Sequence, residues 1–108
     1  MEFTAVGSPR VVSSAIEQYA TGQGILNAIV VPWESDRDTL SMAVTAAQGE
    51  GWAIEHINLG TIKLTDAGND STRVAIAAHE PDHVAKQKLA ALFDQFSRQI
   101  QNKLQAAP

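Results

Sequence analysis

The 108-residue sequence contains no cysteine, which removes disulfides, thiolate nucleophiles and Cys-ligated zinc at one stroke. That absence leaves the compartment open, because proteins on either side of a membrane can do without cysteine. Basic residues are scarce: eight Lys and Arg stand against twelve Asp and Glu, for a net charge of −4. Phosphate binding draws on clustered lysine and arginine, so nucleic acid is not expected as a partner. Long apolar runs are missing too. The nearest, Ile25 to Trp33, is broken by Asn27 and Pro32. It falls far short of the roughly 20 apolar residues that cross a bilayer as a helix, and no transmembrane segment is expected. No signal-peptide pattern follows Met1, so the expectation is a cytoplasmic protein, or an exported one whose leader has been removed.

Short motifs of catalysis are equally sparse. No serine sits in a G-x-S-x-G elbow and no G-x-x-x-x-G-K-[ST] loop is present. Gly22-Gln23-Gly24 precedes a strand-like run, where a dinucleotide fingerprint would open a helix. No cofactor is expected, and no residue is assigned a catalytic role.

What the sequence does hold is amphipathic pattern. From Asp82 to Gln105, Val84, Leu89, Leu92, Phe93, Phe96, Ile100 and Leu104 trace one apolar stripe on a 3.6-residue helix. Such a helix is stable only when the stripe is covered, so the preceding chain must supply a surface for it. Ser8-Pro9 is an N-cap followed by proline at the first helical position. Val12, Ala15, Ile16 and Tyr19 then predict a helix over 9–21, ended by Gly22 and Gly24 with Gly22 in the left-handed conformation. Before it, Glu2 to Val6 alternates as a short strand.

Ile25 to Val31 is β-branched and apolar on both faces, as a central strand would be, and Pro32 ends it. Ser35-Asp36-Arg37-Asp38 reads as a capping box, with Leu40, Ala43, Val44 and Ala47 continuing as a helical stripe to Gly49. Trp52 to Ile57 is the next strand. A switch of alternation at Ile57-Asn58-Leu59 predicts a bulge or tight turn near Gly60. Thr61–Thr65 and Thr72–Ala78 then form a hairpin across Asp66–Asp70.

These elements predict an α+β fold: a single domain over 1–108, in the order (β)αβαβββα, with a four- to five-stranded, mostly antiparallel sheet packed by about three helices. Two of the strands between Ile25 and Ile57 are expected to run parallel through a right-handed crossover. The helix, Gly49-Glu50-Gly51-Trp52 and strand succession resembles connections in small bacterial domains. It implies a bacterial source and no particular function.

Three groups of side chains are candidate sites. Centring the hairpin on Gly68 places Ile62 opposite Val74, Leu64 opposite Thr72 and Lys63 opposite Arg73. Facing cations repel unless an acid lies between them, with Glu55 the nearest in expectation, and Lys63 with Arg73 is a candidate anion site. Trp33 and Trp52 flank the helix expected over 36–48, so that with His56 they are candidate ligand-binding residues at a pocket between sheet and helices. Finally, His79-Glu80-Pro81-Asp82-His83 matches H-E-x-x-H. Pro81 suits the first turn of a helix rather than its middle, and no further histidine follows His83. The string is read as a strand-to-helix connection capped by Glu80 or Asp82, and no metal site is assigned, whether from the string or from His56, His79 and His83 together.

With no catalytic constellation in sight, the expected function is a non-catalytic protein-interaction or self-assembly module, in which the long C-terminal helix or an exposed sheet edge pairs with a second copy or with another protein. The competing expectation is a small-molecule ligand or small enzyme activity at Trp33, Trp52 and His56.

Overall fold

Alternation with period two organises the middle of the chain. The computed structural model describes residues 1–49, 51–79 and 87–106. It runs β1 (Glu2–Val6), α1 (Pro9–Gly22), β2 (Leu26–Val30), a 3-10 turn (Pro32–Glu34), β3 (Thr39–Gln48), β4 (Glu55–Gly68), β5 (Ser71–Ala78) and α2 (Gln87–Leu104). The strands form one five-stranded sheet in the order β1-β5-β4-β3-β2, every neighbouring pair antiparallel. The expected α+β class is therefore the one observed, with two α-helices rather than three among the described residues.

Both helices cover the same face of the sheet. Val12, Ile16 and Ala20 of α1 and Phe93, Phe96 and Ile100 of α2 are buried in one cluster with Phe3, Leu26, Met42, Val44, Ile62, Leu64 and Val74. β1 and β2 lie at opposite edges, and α1 carries the chain from one to the other. The spacing suits it. Four inter-strand steps amount to about 19 Å, and the 14 residues of α1 give a rise of about 21 Å.

The ends of the chain behave as their residues dictate. In β1, Phe3 and Ala5 are buried while Glu2, Thr4 and Val6 are exposed. Ser8 caps α1 by accepting from the Val11 N–H at 3.4 Å, with Pro9 at the first helical position. The closing glycine differs from expectation. Gly22 remains helical, Gln23 is the C-cap, and the left-handed residue is Gly24, at φ 82°.

The expected helix over 36–48 is instead β3. Leu40, Ala43, Val44 and Ala47 fit a helical stripe, but Leu40, Met42, Val44 and Ala46 fit alternation equally well and face the helices. The capping chemistry is real and serves a turn: Asp36 Oδ1 accepts from the Asp38 and Thr39 N–H groups at 3.0 and 2.9 Å. Asp36 N–H donates in turn to the Thr39 carbonyl, sending the chain back as a strand. With that helix gone, the parallel crossover goes too: β2, β3 and β4 are an antiparallel meander. β2 is accordingly an edge strand rather than a central one, with Asn27 and Ile29 exposed.

At Gly60 the chain does not break. β4 runs continuously through it, and Leu59 is inserted as a bulge between the pairs Val44–Gly60 and Thr45–Asn58. Gly60 has a packing reason to lack a side chain: a Cβ there would lie 2.4 Å from Phe93 Cε1 and 2.5 Å from the Ala77 carbonyl oxygen. The β4–β5 hairpin turns on Asn69 and Asp70, both left-handed at φ 53° and 54°. Together with a bulge between Asp66 and Gly68 this displaces the register by two residues from the expected one, so that Ile62 faces Ile76 and Leu64 faces Val74. An even shift keeps the faces, which is why the inward set was right although the partners were not.

The apolar stripe of the last helix is confirmed where α2 is described: Phe93, Phe96 and Ile100 are buried, and Leu89, Leu92 and Leu104 pack beside them. The expected helical start from Asp82, Val84 and the string Glu80–His83 lie outside the described residues.

Candidate functional site

Among the described residues nothing covers the sheet face turned away from the helices, which carries mainly small or polar residues, Ala43, Thr45, Thr61, Ala75 and Ala77 among them. A shallow groove of about 450 Å³ on it is lined by Glu2, Thr61, Lys63, Ala75 and Ala77. The expected pair Lys63–Arg73 is not formed there. Lys63 faces Ala75, and Arg73 faces Thr65. Arg73 Nη2 donates at 2.7 Å to Glu2 Oε2 across the β1–β5 pair. That hydrogen bond, and then the charge of the guanidinium, holds the Glu2 carboxyl below its usual range. Glu55, the acid expected to lie between the cations, pairs with Gln48 at the far end of β4. Of the ion pair only Glu2 lines the groove, together with Lys63 and Met1.

A second depression, of about 190 Å³, lies between α2 and β5, lined by Met1, Ile76, Ala78, Ala90, Phe93, Asp94 and Ser97. It offers little chemistry. Ser97 Oγ donates to the Phe93 carbonyl within its own helix, and the exposed Asp94 accepts from Arg98 one turn on.

Trp33, Trp52 and His56 are not brought into one pocket. Trp33 is 84% exposed in the 3-10 turn that precedes β3, and Trp52 is 99% exposed in the loop that follows it. The ten residues of β3 separate those two places by roughly 30 Å. His56 is exposed on β4, opposite Ala47. Among the described residues no group of three His, Asp or Glu gathers as metal ligands.

The free edge of the sheet is β2, with Trp33 in the turn that follows it and Trp52 in the loop beyond the other end of β3. Ile25 accepts from Ala47 N–H at 2.9 Å and Val31 N–H donates to the Ser41 carbonyl at 2.8 Å. With the register of Leu26 on Ala46 through Val30 on Met42, these bonds place the odd-numbered residues of the segment in the ladder with β3. The N–H and C=O groups of Leu26, Ala28 and Val30 therefore point outward, away from the sheet. Among the described residues no group bonds to them. No family model, curated protein or solved structure matches this chain.

The edge also lacks the usual protections. Leu-Asn-Ala-Ile-Val carries no charge, no proline and no bulge. Ile25 and Ile29, at 44% and 49% exposure, lie along it. Trp33 stands beyond one end, and the loop bearing Trp52 and the 53%-exposed Ile54 stands at the other. Ile25 and Ile29 lie on the edge segment itself, while Trp33, Trp52 and Ile54 lie in the connections beyond its ends. The signal for this site was present in the sequence as an uncharged β-branched run. Such a run also suits a strand buried on both sides, so the pattern alone does not mark an edge.

Proposed function

We propose that this protein is a non-catalytic interaction module that works by adding a strand to the open edge of β2. The observation that carries the proposal is the row of outward N–H and C=O groups at Leu26, Ala28 and Val30, on a strand without charge or proline. Main-chain hydrogen bonds to an added strand supply affinity, while exposed side chains beside the edge, Ile25, Ile29 and Trp33, supply preference for an apolar partner. The competing role, a small-ligand site at Trp33, Trp52 and His56, has less support because the tryptophans stand at opposite ends of β3. An anion site at Lys63 and Arg73 is likewise weakened by the ion pair that occupies Arg73.

Hydrogen exchange tests the proposal. The amides of Leu26, Ala28 and Val30 are expected to exchange fast in dilute protein and to become protected when a peptide copying residues 24–32 is added in excess. Amides that stay unprotected at saturating peptide would remove the edge as the binding site.

A further inference from the structure

We infer that the strand added to β2 is β2 of a second copy of this chain, paired antiparallel about a two-fold axis at Ala28. The inference rests on the open-edge reading above and names its occupant.

Parity restricts the registers. Two copies can pair only when outward-pointing residues meet outward-pointing residues, so Leu26, Ala28 and Val30 must face one another. Of the two-fold registers that satisfy this, the one centred on Ala28 overlaps all five residues of β2. It sets Ala28 opposite Ala28 and Leu26 opposite Val30, each pair exchanging both backbone bonds. On the outer face it sets Asn27 opposite Ile29 of the other copy. No charge lies on the strand, so self-pairing meets no like-charge repulsion at the seam.

The flanking residues are self-complementary in the same arrangement. Antiparallel pairing brings the Trp33 end of one β2 to the Ile25 end of the other, where the loop of Trp52 and Ile54 also stands. Side chains at 84%, 44%, 99% and 53% exposure in the single chain thereby gain apolar neighbours. The opposite edge explains why assembly stops at two. There the chain after α2 returns to β1, Gln105 bridging Ala5 and Ala106 N–H donating to the Thr4 carbonyl at 2.7 Å. One free edge pairing with itself closes, and two five-stranded sheets become one continuous sheet.

The absence of native cysteine makes the register directly testable. Asn27→Cys and Ile29→Cys place thiols on exposed positions, so neither variant disturbs the core. Mixed under mild oxidation, the two chains are expected to cross-link at least ten times faster than either alone. The native mass of the parent protein is expected at twice 11.6 kDa, and Ile29→Lys is expected to weaken association at least tenfold. A monomer at every concentration overturns the inference. So does a dimer in which the mixture cross-links no faster than its components. In either case, protection of the Leu26, Ala28 and Val30 amides by the 24–32 peptide shows that the edge still accepts a strand and that only the two-fold pairing of intact chains was wrong. Loss of that protection as well sinks the underlying reading.

Discussion

The two edges of this sheet are treated in opposite ways. β1 carries Glu2, tied to Arg73 of its neighbour, and is overlaid by the residues that follow α2. β2 carries no charge, and among the described residues nothing bonds to its outer side. A bare strand edge is a template for further strands, and proteins ordinarily blunt it with charge, proline or a covering segment. One edge here has two such devices and the other, among the described residues, has none. The contrast is what favours β2 as the proposed place of association.

The comparison can be broken most severely from inside. Phe96 is 1% exposed in the core on which α2 sits, and α2 leads the covering segment to β1. Phe96→Ala is expected to destabilise the domain by about 3–5 kcal/mol, measured by denaturant unfolding, and to loosen both edges together. If only the β1 amides lost protection, the two edges would not share one cooperative frame. Next in size is Ala28→Pro. The N–H it removes points outward from β2 rather than into the ladder, so sedimentation equilibrium is expected to show a monomer. The Ala28 side chain is 2% exposed in the core, so the added ring is expected to cost about 1–3 kcal/mol in stability by denaturant unfolding; a folded Ala28→Pro protein that still associates as the parent does would remove β2 as the seam.

Truncation after Leu104 sharpens the contrast from the other side. It removes the Gln105 bridge and the Ala106–Thr4 bond, at a net cost of about 1 kcal/mol. With β1 uncovered as well, assemblies larger than a dimer are expected in light scattering, and a truncated protein that stops at the dimer would show that Glu2 and Arg73 suffice to guard the edge. The smallest effect concerns that ion pair. The Glu2 carboxyl is depressed by Arg73 in the folded chain. Its contribution is therefore present at neutral pH and lost as pH falls through the folded value. Glu2→Gln is expected to flatten this acid dependence slightly in thermal melts, and an unchanged profile would assign the acid sensitivity to other carboxylates.

Legibility followed the strength of the local pattern. β1, α1 and the described part of α2 were readable because burial at Phe3 and Ala5, at Val12 and Ile16, and at Phe93, Phe96 and Ile100 each obeys a single period. β3 was not, because alanine, serine and threonine at positions 39–47 satisfy both periods. An Asp that caps a helix also bonds the same backbone donors in a turn. The candidate site suffered from that one misreading: with a helix over 36–48, Trp33 and Trp52 bracket a pocket, and with a strand they stand at opposite ends of it.

By itself the sequence determined the α+β class, the caps and stripes of the two helices, and which side chains of the β4–β5 hairpin face inward. Those are properties of short segments, decided by periodicity and by hydrogen bonds between near neighbours. The tertiary structure alone decided that residues 39–48 are a strand, since pairing with β2 on one side and β4 on the other gives their backbone partners that isolated segments do not have. It also decided which strand ends the sheet. An edge is defined by what fails to arrive beside a strand, and no residue within β2 records that absence.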